Sequence, residues 1–548
     1  MLKSYFPIYK KSETIKYIIF ALVFAVFFSI ASHAVNEQQD TDSVAGVIKY
    51  KLDSKHKLRI GDVLISPKTT LASFYKSRGF KPAWENMDIN YLMKSLYEIE
   101  TEGLRKEDYF YTEIIDLIKA EESGNLAKIE NKADLEILLS YSLSKLFDHL
   151  QNGKIDPKSL KSEWDIDKFA TPSRYMLLTK ALESTNLYEF IDSQKPSLGY
   201  YNTLKKALST YKEYKKNGGW VKVAGGRILK PGMYDKRVQA LRDRLLVTGH
   251  LSSSQNFETV QYDEQLVEAV KKFQLHHNLI TDGVIGPNTL KELNIGVDDR
   301  IDQIKVNLER ARWVLNNADQ KFVIVNIAGF KAYYADNGEI LWTSRIQVGK
   351  PYRKTPVFKS EIQHLVFNPT WSVPPGIFRK DILPIIKRNP GYLTRRGFNV
   401  YDYNGRKVSP YSINWARYSA NVPYSIRQKP GRRNALGRVK FIFPNDHFVY
   451  LHDTPNRSLF NKDIKTFSSG CIRVEKPFEL AELLLNDNEK WNRQNIQKVV
   501  DKRKTRTVFL DKPVPIMILY WTASADKNGN VYFMNDIYKR DKAILKLL

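Results

Sequence analysis

Apolar and polar positions follow three successive patterns along the chain. Residues 35–60 are polar with few periodic runs and predict an extended linker. From 61 to 225 apolar positions recur at helical spacing. In SPKTTLASFYKSRGF, Ser66 is placed to cap, Pro67 to open a helix, and Leu71, Phe74 and Tyr75 to face inward. LEILLSYSLSKLFDHL (135–150) is apolar on more than one side and predicts a central helix. Residues 232–295 predict a compact three-helix unit. Asp235 is a cap candidate, Val238, Leu241 and Leu245 form one stripe, and Leu266, Val270 and Phe273 form another. A turn at Asp282-Gly283 then precedes a helix opened by Gly286-Pro287. Residues 298–318 form an amphipathic connecting helix through Ile301, Ile304, Leu308, Ala311 and Leu315. From 320 to 548 the period changes to that of strands, with a hairpin turn at Asp336-Asn337-Gly338. The Pro-, Arg- and Tyr-rich stretch 371–436 interrupts them with a short helix near 380–387. An interruption of that length predicts a lid or binding loop.

Composition narrows the function classes. With 43% hydrophobic and 12% aromatic residues over 548 positions the chain is globular, not disordered. Its 86 Lys and Arg against 60 Asp and Glu leave a net charge of +26, which favours anionic partners: nucleic acid, an acidic membrane or an anionic wall polymer. Lys10, Lys11 and Lys16 precede an apolar run from Tyr17 to Ala31, and Ser32-His33-Ala34 supplies small residues for cleavage. This reads as an export signal cut after Ala34. An uncleaved anchor over 15–35, which would keep the chain near the membrane, is the alternative. Either outcome places the body outside the cytoplasm. Without a recognition helix, an RNP-type sheet or zinc spacing, a nucleic-acid partner is set aside. The single cysteine excludes an internal disulfide, and it excludes a Cys-rich zinc or iron–sulfur centre held by this chain alone. No metal or other cofactor is expected.

That cysteine sits in the most informative segment. His452-Asp453-Thr454-Pro455 closes a predicted strand, and Ser468-Ser469-Gly470-Cys471-Ile472-Arg473 follows, with Cys471 nineteen positions after His452. A thiol on a tight turn ahead of a helix is expected to be exposed and to favour thiolate, and a nearby imidazole takes its proton. Gly470 lets the chain approach a substrate and frees backbone N–H groups as oxyanion donors. A buried, inert core cysteine is the competing explanation.

The string HDTPNRSLFNKDIKTFSSGCIRVEKPFELA resembles the signature of the L,D-transpeptidase catalytic domain. In that family a strand-end His and a Ser-x-Gly-Cys turn form the active site. NPTWSVPP (368–375) and PGRRNALGRVKFIFPN (430–445) resemble flanking elements of the family's large periplasmic branch, and AVKKFQLHHNLITDGVIGPNTLKEL resembles a peptidoglycan-binding domain. The family often has His where Ser469 stands and Asn where Arg473 stands, which leaves the contribution of both residues open. The resemblance implies a multidomain α+β chain in the periplasm: a helical scaffold domain, a three-helix peptidoglycan-binding domain and a mainly β catalytic domain with a lid-like insertion. It implies a 3→3 cross-linking enzyme with Cys471 as nucleophile and His452 as base. The Asp453 carbonyl would orient the imidazole, and the N–H groups of Cys471 and Gly470 would form the oxyanion hole. Arg473 either faces a substrate carboxylate or pairs with Glu475 or the insertion. Tyr450 and Trp371 either line the donor groove or pack in the core. Ser469 is placed near substrate, and His447 is read as bystander surface. The implied partners are peptidoglycan stem peptides and glycan. The acceptor is a stem amine, water or a lipoprotein lysine. A non-catalytic wall-binding protein is the reading from another class.

Overall fold

The structure, a computed structural model, describes residues 43–122, 129–160, 164–166, 174–197, 199–252, 260–315, 321–419 and 421–548. The export signal read over 1–34 lies outside them. The expected linker does not hold over its described part: Val44–Asp53 is a helix. Ser43 caps it by accepting the Gly46 N–H, and Val47, Ile48 and Leu52 are buried along one side. The helical period is present in the sequence, with Val44, Val47, Ile48 and Leu52 at i, i+3, i+4 and i+8, but it is short and flanked by polar residues.

The chain divides into two compact units. The first comprises residues up to 100, 104–151 and 170–195. A small hairpin, β1 (Arg59–Ile60) and β2 (Val63–Leu64), precedes helices Thr69–Ser77, Ile89–Glu98 and Tyr111–Glu122. The first of these helices starts two residues later than Pro67 suggests, without a side-chain cap, because Tyr141 hydroxyl engages both the N–H and the carbonyl of Ser66. Helix Ile129–Asn152 is buried at six consecutive positions, Leu135 to Ser140. A helix covered on every side is a central one.

The second unit holds residues 101–103, 152–169 and 196–548. The helical region read as one domain over 61–225 is therefore shared between the units, since helix Gly199–Lys216 packs on helix Val297–Val314. Tyr201, Leu204 and Leu208 share one apolar core with Ile304, Leu308 and Ala311. Residues 237–293 form a small satellite core around Val238, Leu241, Leu266, Val270, Phe273 and Leu293. Its second helix is capped by Asp263, and its third opens at Pro287.

The strands of this unit are β3 (Trp164–Asp165), β4 (Lys321–Asn326), β5 (Lys331–Asp336), β6 (Glu339–Gly349) and β7 (Val357–Phe367). The insertion contributes β8 (Trp371–Ser372), β9 (Phe398–Tyr401), β10 (Lys407–Val408) and β11 (Ser425–Gln428). Then follow β12 (Val439–Ile442), β13 (Leu451–His452), β14 (Thr466–Ser468), β15 (Ile472–Val474), β16 (Arg506–Leu519), β17 (Ala523–Ala525) and β18 (Val531–Phe533). The main path runs β12-β13-β15-β6-β5-β4-β16-β7, and β7 pairs back onto β12. Eight strands thus close a ring. Asn337 and Gly338, both at positive φ, make the tight β5–β6 turn. The insertion is more than a loop. Its four strands order as β10-β9-β11-β8 over their own core of Phe378, Leu383, Ile386, Leu393, Val400 and Trp415.

Candidate active site

Register, not chain order, assembles the site. β13 lies between β12, antiparallel, and β15, parallel. Phe441, Leu451 and Ile472 align across these three strands and point into the core, each with no exposed surface. Side chains alternate along a strand, so their neighbours face the other way. The opposite face carries a row of Lys440, His452, Arg473 and Gln347 across β12, β13, β15 and β6. One step along, Tyr450 stands beside Cys471, where the Ile472 N–H donates to the Tyr450 carbonyl at 3.1 Å. With strands about 4.8 Å apart and about 6.6 Å between alternate residues, the Cys471 and His452 backbones are diagonal neighbours on one face.

His452 is buried, and its Nδ1 lies 2.5 Å from the Asp453 carbonyl oxygen. Nδ1 therefore donates, and the lone pair of the neutral ring falls on Nε2. Burial, then the charges of Arg473 and Lys440, push the imidazole down to about 3, against the weaker pull of the Asp453 and Leu436 carbonyls. The ring is neutral at physiological pH. The Asp453 carboxylate has a separate role: Oδ2 accepts the Arg438 N–H at 2.9 Å, and Arg457 reaches Oδ1 at 3.3 Å. Gly437, at φ +65°, leaves the space this carboxylate occupies.

Cys471 is half-buried, with Sγ 3.9 Å from the Phe448 carbonyl. The expectation of a thiol tuned by a helix N-terminus is not met. The helix opens at Pro477, where the sequence places it, but Cys471 leads into β15 and so lies off the helix end. Burial pushes the thiol up, while Tyr450, Lys440 and Arg473 pull it down. The Tyr450 hydroxyl interacts with both Cys471 and Trp371, which brings three of the candidate residues together, and burial raises its own pKa well above the usual phenol range. Lys440 Nζ lies 3.9 Å from the Tyr450 ring centroid.

The turn is held by hydroxyls. Ser468 Oγ accepts the Gly470 N–H at 3.1 Å and donates to the Cys471 carbonyl. This corrects the assignment of the Gly470 N–H to an oxyanion hole, because the Ser468 hydroxyl already takes it. Gly470 still needs its freedom at φ +119°, and its carbonyl accepts from buried Thr355 at 2.8 Å. Arg473 does not pair with Glu475, which Arg345 holds through Nε at 2.7 Å. Arg473 Nη1 instead donates to Gln347 at 3.2 Å, and its buried Nε has no partner among the described residues. Ser469 is exposed and accepts from Arg353 at 2.8 Å, and Arg353 also pairs with Asp381 of the insertion. His447 faces Asp165 of β3, with Nε2 at 3.2 Å, on a partly exposed surface. Lys440 and Gln347 were not anticipated. Their only trace in the sequence is a polar residue between apolar ones, in Val439-Lys440-Phe441 and Ile346-Gln347-Val348.

Residues 320–516 match the L,D-transpeptidase catalytic domain family. The C-terminal part of this chain is thus similar to L,D-transpeptidase catalytic domains. Ahead of it, residues 69–208 match a family described as a scaffold domain, and 234–293 match a "putative peptidoglycan binding domain". A Haemophilus influenzae protein described as a "putative L,D-transpeptidase" is 36% identical over 256 residues, 47% of this chain and 50% of that protein. The match thus spans about half the length of the curated relative. Two solved L,D-transpeptidases were also found. That of Xylanimonas cellulosilytica is 12% identical with a TM-score of 0.18, covering 54% of this chain and 99% of the other. That of Stackebrandtia nassauensis is 13% identical with a TM-score of 0.21, covering 54% and 96%.

Proposed function

We propose that this chain is a peptidoglycan L,D-transpeptidase that forms 3→3 cross-links through a thioester on Cys471. The observation that carries the reading is the shared sheet face of Cys471 and His452, with Nδ1 of the imidazole committed to the Asp453 carbonyl. A neutral imidazole with its Nε2 lone pair available is a base in waiting. As Sγ attacks the amide carbonyl before the terminal D-Ala of a tetrapeptide stem, the thiol proton passes to Nε2. The imidazolium then gives that proton to the departing amine, D-Ala leaves, and an acyl thioester remains. A second stem's side-chain amine attacks the thioester, loses its proton to Nε2, and expels the thiol. Lys440 and Arg473 favour the developing thiolate. The Cys471 N–H is the remaining candidate donor for the oxyanion. Trp371 and Tyr450 border the donor, and the insertion excludes the water that would divert the thioester to hydrolysis.

The module at 234–293 holds the polymer in this scheme, and the segment over 1–34 exports the chain to the periplasm. Incubation with a disaccharide-tetrapeptide and mass spectrometry of protein and products tests the reading. Loss of D-Ala, an acyl adduct on Cys471 and a 3→3 dimer are expected. Tripeptide alone would reassign the enzyme as an L,D-carboxypeptidase, and an unchanged substrate with no adduct would overturn the proposal.

A further inference from the structure

The insertion 371–436 carries thirteen Lys and Arg against two acids, Asp381 and Asp402. All thirteen are exposed, and none makes an ion pair among the described residues. Both acids are already engaged: Asp381 pairs with Arg353, and Asp402 accepts the Arg406 N–H at 2.8 Å. The insertion therefore cannot neutralise itself.

The cations are also concentrated. Arg433 Nη1 donates to the Arg395 carbonyl at 3.0 Å, and the Lys429 N–H donates to the Gly397 carbonyl at 3.0 Å. Buried Gln428 donates to the carbonyls of both Arg396 and Arg433, at 2.8 and 2.9 Å. These bonds draw Arg395, Arg396, Lys429, Arg432 and Arg433 to one end of the β9–β11 pair. A cleft of about 460 Å³ opens beside them, with Lys407 and Lys429 in its wall. Holding like charges this close on a subdomain with its own core opposes folding, and a polyanion laid across them relieves the repulsion.

We infer that this end of the insertion is a binding site for carboxylate-rich peptide, and that it holds the acidic stems of the wall polymer. The inference rests on the reading of the chain as acting on peptidoglycan. Continuity favours stems over lipid headgroups: Trp371 of β8 interacts with Tyr450, which interacts with Cys471, so a strand bound to the insertion lies next to the thiol. Guanidinium groups take carboxylates in paired hydrogen bonds, which suits a repeating acidic peptide.

The test compares the full chain with a variant carrying Arg395→Gln, Arg396→Gln, Lys429→Gln and Arg433→Gln. Co-sedimentation with purified sacculi is measured at 50 and 300 mM NaCl, and with phosphatidylglycerol vesicles in parallel. Wild-type affinity for sacculi should fall about tenfold between the two salts, since screening shortens the reach of exposed charges. The variant should lose about tenfold at low salt and show little further salt dependence. The rate of Cys471 alkylation by iodoacetamide should be the same in both proteins, which shows the thiol site intact. Equal sacculus binding by variant and wild type at both salts overturns the inference, and so does charge-dependent binding to vesicles alone. The readout is binding, so a chain that releases no D-Ala yet needs these charges keeps this site and loses the reaction, while active chains indifferent to the charges do the reverse.

Discussion

Two buried imidazole sites lie in the second unit, and their difference is instructive. His452 and His250 are both pushed down to about 3, mainly by burial. His250 is interlocked: Nδ1 meets Thr248 at 2.7 Å and Nε2 meets His276 at 3.1 Å, while its ring lies edge-on to Phe273. Neighbouring His277 stacks on Phe273 and Phe533. Both ring nitrogens of His250 are occupied, by a hydroxyl and by a second imidazole. His452 has one nitrogen fixed and shares its sheet face with a thiol, a phenol and two cations. A perturbed imidazole alone therefore marks burial. A site needs the unspent lone pair and the company it faces.

The strongest way to break this comparison is substitution. Cys471→Ala should abolish the acyl adduct and D-Ala release. His452→Ala should slow acylation about 10³-fold, within the range of a lost general base. His250→Ala should leave acylation within about twofold of wild type while lowering the melting temperature. Comparable losses of activity at both histidines would erase the distinction.

Lys440→Met should raise the apparent thiol pKa, since it removes a cation that pulls it down, and should slow acylation about tenfold. The pH dependence of iodoacetamide alkylation reads the shift directly. No movement would take Lys440 out of the site.

Acid titration sharpens the comparison by stability. Both rings stay neutral in the fold down to about 3 but bind protons near 6.5 in the unfolded chain. The unfolded state then holds more protons between these values, so stability is full above about 6.5 and falls as pH drops toward 3. Calorimetry from pH 7 to 4 should show a falling melting temperature, with a shallower fall in His250→Ala. Over the same range the initial acylation rate should stay nearly flat, because His452 remains neutral.

The smallest effect is expected at Ser469, where Ala removes only the bond to Arg353. Acylation should change less than threefold, and a larger loss would give the exposed hydroxyl a part in substrate binding.

The local string around Cys471 made the thiol, His452 and the turn legible, because chemistry and geometry there fall within one stretch of chain. Lys440 and Gln347 were not legible. They join the row only through strand register, Lys440 by the pairing of β12 with β13 and Gln347 by the pairing of β6 with β15, where Gln347 lies 126 positions before Arg473. The Gly470 N–H was misassigned because composition does not say which hydroxyl a turn points inward. The insertion reads as a loop in sequence because its strands are only two to four residues long, so its sheet and core emerge only on folding.

The parallel pairing of β13 and β15 has a wider consequence. A slip of either strand by one residue would turn Leu451 or Ile472 toward water and the imidazole or thiol into oil. Mutations that loosen the barrel interior therefore threaten the chemistry before they unfold the domain, and selection on the one is selection on the other.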